Sequence, residues 1–225
     1  MQHDFWQARW ESDQLGFHLA FVHPILKRNL ANFGLQAGAR IFLPLCGKTL
    51  DIGWLLDQGY RVVGAELSEI AVAQLFEELK VEPVIDEWAD GRRWQHAGLT
   101  VFQGDIFQLT AQDLRPVEIG PIDLVYDRAA MVALPPAMRS GYAEQILGLS
   151  DAAPQLLITF EYDPAEKDGP PFPVLPAEIK RHYASRYTLE ELSRKDVLQS
   201  SLNFREAGVT RFVEVAWRLS PKQSA

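Results

Sequence analysis

The sequence predicts an α/β protein: a doubly wound, mostly parallel seven-stranded sheet with helices on both faces and an antiparallel hairpin at one edge. Three observations predict it. Short apolar runs alternate with amphipathic stretches, a strand–helix rhythm that needs crossover connections. The early strand candidates, 40-RIFLPLC-46 and 60-YRVVGAEL-67, lack polar alternation, as strands covered on both faces should. Two extended segments meet across Ala207-Gly208 near the C-terminus, as in an edge hairpin.

Each element has its own warrant. Residues 3–34 are rich in aromatics and histidine, and the apolar spacing from Leu19 to Phe33 suits a helix. After the strand at 40–46, 49-TLDIGWLLDQG-59 reads as a helix with Thr49 as N-cap and Gly59 as its stop. Strand 60–67 leads into helix 69–80, capped by Ser68. Residues 99–105 and 121–128 make the third and fourth strands, and helix 136–150 and a fifth strand at 155–162 follow. The loop 163-DPAEKDGPPFPVLP-176 holds five prolines, so it reads as irregular, a lid or an edge crossing. A helix at 188–195 and strands at 196–206 and 210–220 complete the chain.

Composition narrows the partners. The 225 residues, 47% of them hydrophobic, suffice for a full core in one domain. The net charge of −8 lacks the basic face that phosphate neutralisation requires, and acids flank the short cluster Lys180, Arg181, Arg186. The expected partner is a small molecule, with no nucleic acid, no membrane and no metal. Cys46 is the single cysteine, which fits a reducing, cytoplasmic setting. The start, MQHDFWQARWESDQ, has no basic region followed by an apolar run, and no stretch of 18 apolar residues exists. No long exposed apolar helix calls for a partner, so a monomer is expected.

The stretch 43-LPLCGKTLDIGWL-55 carries the chemistry, and three readings compete for it. A phosphate-wrapping loop needs a glycine at 42, where Phe42 stands. A cysteine nucleophile needs a base, and no histidine is near Cys46 in sequence; most free cysteines are small buried residues. The third reading is the first turn of a nucleoside-binding sheet, whose ligand lies beyond the strand ends. Gly47 takes the close-approach position, and Glu66, nineteen residues on at the next strand tip, can accept both ribose hydroxyl protons. The G-x-G-x-x-G of a pyrophosphate site is absent, which disfavours nicotinamide or flavin dinucleotides and suits a nucleoside without phosphates such as S-adenosyl-L-methionine. Asp105 at the third strand tip can hold an adenine amino group, and Arg128 at the fourth can pair with an anion.

These residues belong to segments that resemble the thiopurine S-methyltransferases over nearly the whole length: 10-WESDQLGFH-18, 42-FLPLCGKTLDIGWL-55, 61-RVVGAELSE-69, 105-DIF-107, 126-YDRAAMVALPP-136 and 162-YDPAEKDGPPF-172. The first loop departs from the E/D-x-G-x-G of class I methyltransferases, with Leu43 and Leu45 in place of the acid and the first glycine, and the thiopurine family looks the same there. The resemblance implies a single methyltransferase domain over 1–225, with 1–34 as a helical cover. It implies S-adenosyl-L-methionine as cofactor, held by Trp10, Leu45, Glu66, Asp105, Ile106 and Arg128, and a thiol substrate met by Phe17 and Arg128. Methyl transfer to a soft sulfur is an in-line displacement dominated by positioning, so no strong general base is expected. Asp13 and Arg128 are the weak catalytic candidates, and Arg205 or Arg211 is a candidate second arginine. Alternatives are selenium or tellurium compounds as acceptors, a non-catalytic nucleoside-binding module, a nicotinamide oxidoreductase, or a nucleic-acid methyltransferase. The acidic charge, and Gly169 where an (N/D)-P-P-(Y/F) tetrad needs its acceptor, weigh against the last.

Overall fold

The computed structural model describes residues 3–12, 16, 18–114 and 120–222. Among these described residues nine strands, β1 to β9, form one sheet in the order β3-β4-β5-β2-β1-β6-β7-β9-β8. The centre is parallel: β5 (Leu99–Gln103), β2 (Arg61–Glu66), β1 (Arg40–Pro44), β6 (Leu124–Asp127) and β7 (Gln155–Glu161). Two antiparallel strands flank each side: β4 (Gly91–His96) and β3 (Val84–Trp88) at one, β9 (Val213–Pro221) and β8 (Tyr187–Asp196) at the other. The chain leaves β1 for β2 on one side and returns for β6 on the other, so the switch point lies between β1 and β6.

The central strands are hydrophobic throughout because helices cover both faces. On one face Phe42, Val63 and Val125 pack with Leu114 of α5 (Ala111–Leu114), Tyr142 and Ile146 of α6 (Pro136–Ser150) and Ile179 of α7 (Pro176–Tyr183). On the other, Ile41, Leu43 and Leu124 pack with α2 (Pro24–Asn29), α3 (Leu50–Asp57) and α4 (Glu69–Leu79). Thr49 and Ser68 cap α3 and α4 as expected, accepting the N–H groups of Asp51 and Ala71. Helix α1 spans His3–Glu11. The helix expected over 19–33 is shorter: α2 starts at Pro24, and a 3₁₀ turn at Leu30–Phe33 continues it.

Three expectations fail. The sheet has nine strands, because Val84–Trp88 and Gly91–His96 form a hairpin that extends it beyond β5. Residues 188–195 are not helical. They belong to β8, whose edge pairing with β9 outweighs the helix propensity of TLEELSRK. A register shift falls between Glu191 and Ser193, and Leu189 and Leu192 pack against different core clusters. Residues 196–206 are not a strand either: they form a 3₁₀ turn at Leu198–Ser200 and the short helix α8 (Leu202–Glu206), which Gly208 closes at φ 80°. The edge hairpin therefore joins β8 to β9 across a long arch. Within the arch Phe204 stacks on Phe212, with ring centroids 3.7 Å apart.

Gly64 of β2 lets the loop after β1 lie against the sheet. A Cβ there would sit 2.8 Å from Cys46 Sγ. Gly64→Ala is expected to cost about 1–3 kcal/mol through overpacking, and Cys46→Ala in the same chain to recover part of it. Urea unfolding of both single variants and the double checks this; a double variant no more stable than Gly64→Ala would rule out the contact as the cause.

Candidate active site

A cavity of ≈ 880 Å³ opens at the C-terminal ends of β1, β2, β6 and β7, where a doubly wound sheet holds its ligand. The turn after β1 supplies Leu45, Cys46 and Gly47 to its wall, and β2 supplies Glu66. Leu45 at φ 46° and Gly47 at φ 54° both take left-handed backbone, a strained geometry for leucine that folds the turn tightly over the strand ends. Cys46 N–H ties the turn to Ala65 O at 3.0 Å.

Glu66 is 6% exposed. Its Oε2 accepts Gly47 N–H at 2.7 Å and its Oε1 accepts Ser68 N–H at 2.8 Å. Burial raises its pKa, and the N–H groups of Ser68, Gly47 and Leu67 oppose that rise. Each oxygen keeps a second lone pair, so the carboxylate can accept two vicinal hydroxyls, a donor set that fits a ribose. Cys46 is buried against Glu66, and burial first and that negative charge second push its thiol well above the usual range. Such a thiol is a poor nucleophile.

Tyr126 and Arg128, at the end of β6, also line the cavity. Asp127 between them is fully buried and shapes the turn: Oδ1 accepts Met131 N–H at 3.1 Å and Oδ2 accepts the Tyr142 hydroxyl at 2.7 Å. Ala129, at φ 61°, completes this second left-handed turn and carries Arg128 to the wall. The N-terminal segment contributes Trp6, Arg9, Trp10 and His18. The far end is built by Phe160, Phe212 and Phe204, with Phe160 and Phe212 stacked at 4.8 Å and Lys167 Nζ 5.5 Å from the Phe204 ring.

Of the residues singled out in the sequence, Trp10, Leu45, Glu66 and Arg128 come together on this wall. Asp105 and Ile106 lie at the tip of β5 outside the cavity lining: Asp105 Oδ1 accepts Phe107 N–H, and Ile106 is fully buried. Arg205 and Arg211 are not in the lining, and Arg205 donates to Gln199 O. Asp13 and Phe17 fall outside the described residues. Sequence reasoning missed His23, Asp51, Lys167, Lys195 and Glu214 as lining residues. Asp51 stands five residues beyond Cys46 and was within reach of the motif. The others arrive from remote segments whose contacts no local pattern reports.

The fold has counterparts among solved structures. A methyltransferase from Anabaena variabilis described as S-adenosylmethionine-dependent superposes with TM-score 0.62 at 15% identity, over 98% of this chain and 95% of that one. A TehB-like methyltransferase from Corynebacterium glutamicum gives 0.54 at 14%, over 98% of each. The family model described as thiopurine S-methyltransferase matches residues 1–222. Proteins named thiopurine S-methyltransferase are 46% identical over 220 residues in Pseudomonas aeruginosa UCBPP-PA14 (97% of this chain, 99% of that one) and 43% over 226 residues in Pseudomonas fluorescens Pf-5 (100% of both). The chain belongs to the thiopurine S-methyltransferase family and is a methyltransferase that uses S-adenosyl-L-methionine. Among the described residues no helix is long and apolar enough to cross a membrane.

Burial pushes the Asp127 carboxyl from 3.8 up to about 6, against the hydrogen bonds from Met131, Tyr142 and Ala130 that hold it down. The folded state therefore binds this proton more tightly than the unfolded chain. The contribution is fully present below about pH 4 and is lost as pH rises through about 6, by at most about 3 kcal/mol. Stability of the wild type minus that of Asp127→Asn should fall across this window and flatten above it. Urea titrations from pH 4 to 7 read the difference, and a flat or rising one would contradict the assignment.

Proposed function

We propose that this protein moves the methyl group of S-adenosyl-L-methionine to the sulfur of thiopurines and related aromatic or heterocyclic thiols. The observation that carries the reading is the continuity of one cavity, from the buried Glu66 carboxylate to the stacked rings of Phe160 and Phe212. The first end suits a nucleoside and the second a flat ring. Membership in the thiopurine family supports the same acceptor class.

The bound donor supplies a methyl group on a cationic sulfur, and the chain supplies position. Glu66 takes the ribose hydroxyls, its carboxylate already aimed by Gly47 and Ser68. Leu45 covers the nucleoside from the turn after β1. Asp105 and Ile106 border the adenine end from outside the cavity lining, through a β5 tip joined to β2 by Gly104 N–H to Glu66 O at 2.8 Å. Arg128 favours the anionic form of the substrate. Residues 1–34 act as a cover within a single domain: Trp6 and Trp10 reach the cavity wall from α1, and Phe17 is assigned to the substrate side. Closure by this aromatic segment excludes water and holds the acceptor sulfur at attack distance, which is most of what an in-line displacement asks of a protein.

The reading is tested by methyl transfer to a panel of thiopurines, aromatic thiols and selenium compounds, with product detection by mass. Methylation of the thiols supports it. Turnover of selenium compounds alone would replace the acceptor class, and no turnover of any would remove the activity.

Glu66→Ala should weaken cofactor binding roughly tenfold or more, as for the loss of charge-assisted hydrogen bonds. Titration calorimetry with S-adenosylhomocysteine reads this directly, and unchanged affinity would remove the ribose role. Cys46→Ser should leave turnover largely intact, because the thiol is buried and protonated. Loss of turnover with cofactor binding preserved would give Cys46 a chemical role.

A further inference from the structure

We infer that Glu214 is the proton acceptor for substrates that reach the site as neutral thiols, and that His23 positions it. The inference rests on the thiol reading above. Three carboxylates line the cavity among the described residues: Asp51, Glu66 and Glu214. Glu66 has one backbone N–H on each oxygen and stands at the nucleoside end. Asp51 is 1% exposed and also engaged on both oxygens, Oδ1 by His23 N–H at 2.7 Å and Oδ2 by the Tyr126 hydroxyl at 3.0 Å. Glu214 differs. Its Oε1 lies 3.4 Å from His23 Nε2, and among the described residues no hydrogen bond reaches its Oε2.

The state of His23 follows from its neighbours. Its Nδ1 accepts Ile25 N–H at 3.3 Å, the cap of α2. With Nδ1 turned to Ile25 N–H, Nε2 is the ring nitrogen that stands beside Glu214 Oε1. The backbone of His23 is held by Asp51, and Asp51 is held by Tyr126. Side chains from α3 and β6, together with the start of α2, thus set His23 against one oxygen of Glu214, and the other stays available to a ligand.

The location matches the chemistry. Glu214 pairs across strands with Phe160, one ring of the stack on which a flat acceptor would lie. Charged and titratable groups face it from each neighbouring element: His23 before α2, Asp51 on α3, Tyr126 and Arg128 on β6, and Lys195, its cross-strand partner on β8. In the step, the thiol S–H bond breaks and its proton passes to Glu214 Oε2. The freed sulfur pair forms the bond to the methyl carbon as that carbon's bond to the donor sulfur breaks. S-adenosylhomocysteine leaves neutral, and the carboxyl later returns the proton to water.

The test compares two aromatic thiols in one protein, one ionised at the assay pH and one with a pKa about two units above it. For Glu214→Gln, kcat with the neutral thiol should fall about 100-fold, a common size for losing a general base, and kcat with the ionised thiol should change little. Raising the pH until the second thiol ionises should restore its rate. Equal losses with both thiols, or none with either, would overturn the role. Failure of the wild type to methylate either thiol would instead overturn the thiol reading itself.

Discussion

A carboxylate removed from water at the tip of β2 is the constraint on which the rest of the site depends. Glu66 is tolerated there because two backbone N–H groups, from Gly47 and Ser68, converge on it. Leaving such a charge buried without them would cost far more than the hydrogen bonds return. Their supply dictates the neighbouring backbone. The turn after β1 must double back through left-handed residues at Leu45 and Gly47, and β2 must carry Gly64 so that Cys46 can lie against it.

The same logic recurs at the end of β6. Asp127 is buried, and Met131 N–H and the Tyr142 hydroxyl satisfy it. The turn it holds presents Arg128 at the cavity wall. Two buried acids thus each organise a strained turn: one holds the turn after β1, the other carries Arg128 to the cavity wall. Their raised pKa values have one physical origin, desolvation, and both are held down by hydrogen bonds that only the folded backbone provides.

The aromatic end of the cavity is assembled differently. Its aromatic stack and its lysines come from the proline-rich loop, from β7 and β8, and from the arch before β9. Apart from β7, these segments lie toward one edge of the sheet or in its connections. The polar chain through Tyr126, Asp51, His23 and Glu214 crosses the cavity wall, since it starts on the central strand β6 and ends on β9, next to the edge strand β8.

By itself the sequence determined the parallel centre and its helices. Uninterrupted apolar strands, the Thr49 and Ser68 caps and the glycine stops are local signals with local causes. It also brought Leu45, Gly47 and Glu66 to one cavity wall, because they sit on consecutive elements whose offset follows from the strand–turn–helix geometry. It misassigned 188–206, where TLEELSRK favours a helix in isolation and the edge pairing with β9 imposes a strand. It passed over the Val84–Trp88 and Gly91–His96 hairpin, whose largely exposed outer strand carries no apolar alternation. Only the tertiary structure decided that His23, Asp51, Tyr126 and Glu214, spread over 191 positions, share one wall. The reason is physical: hydrogen bonds between distant segments are set by how the elements stack, and nothing in the local chemistry of any one segment encodes its partner.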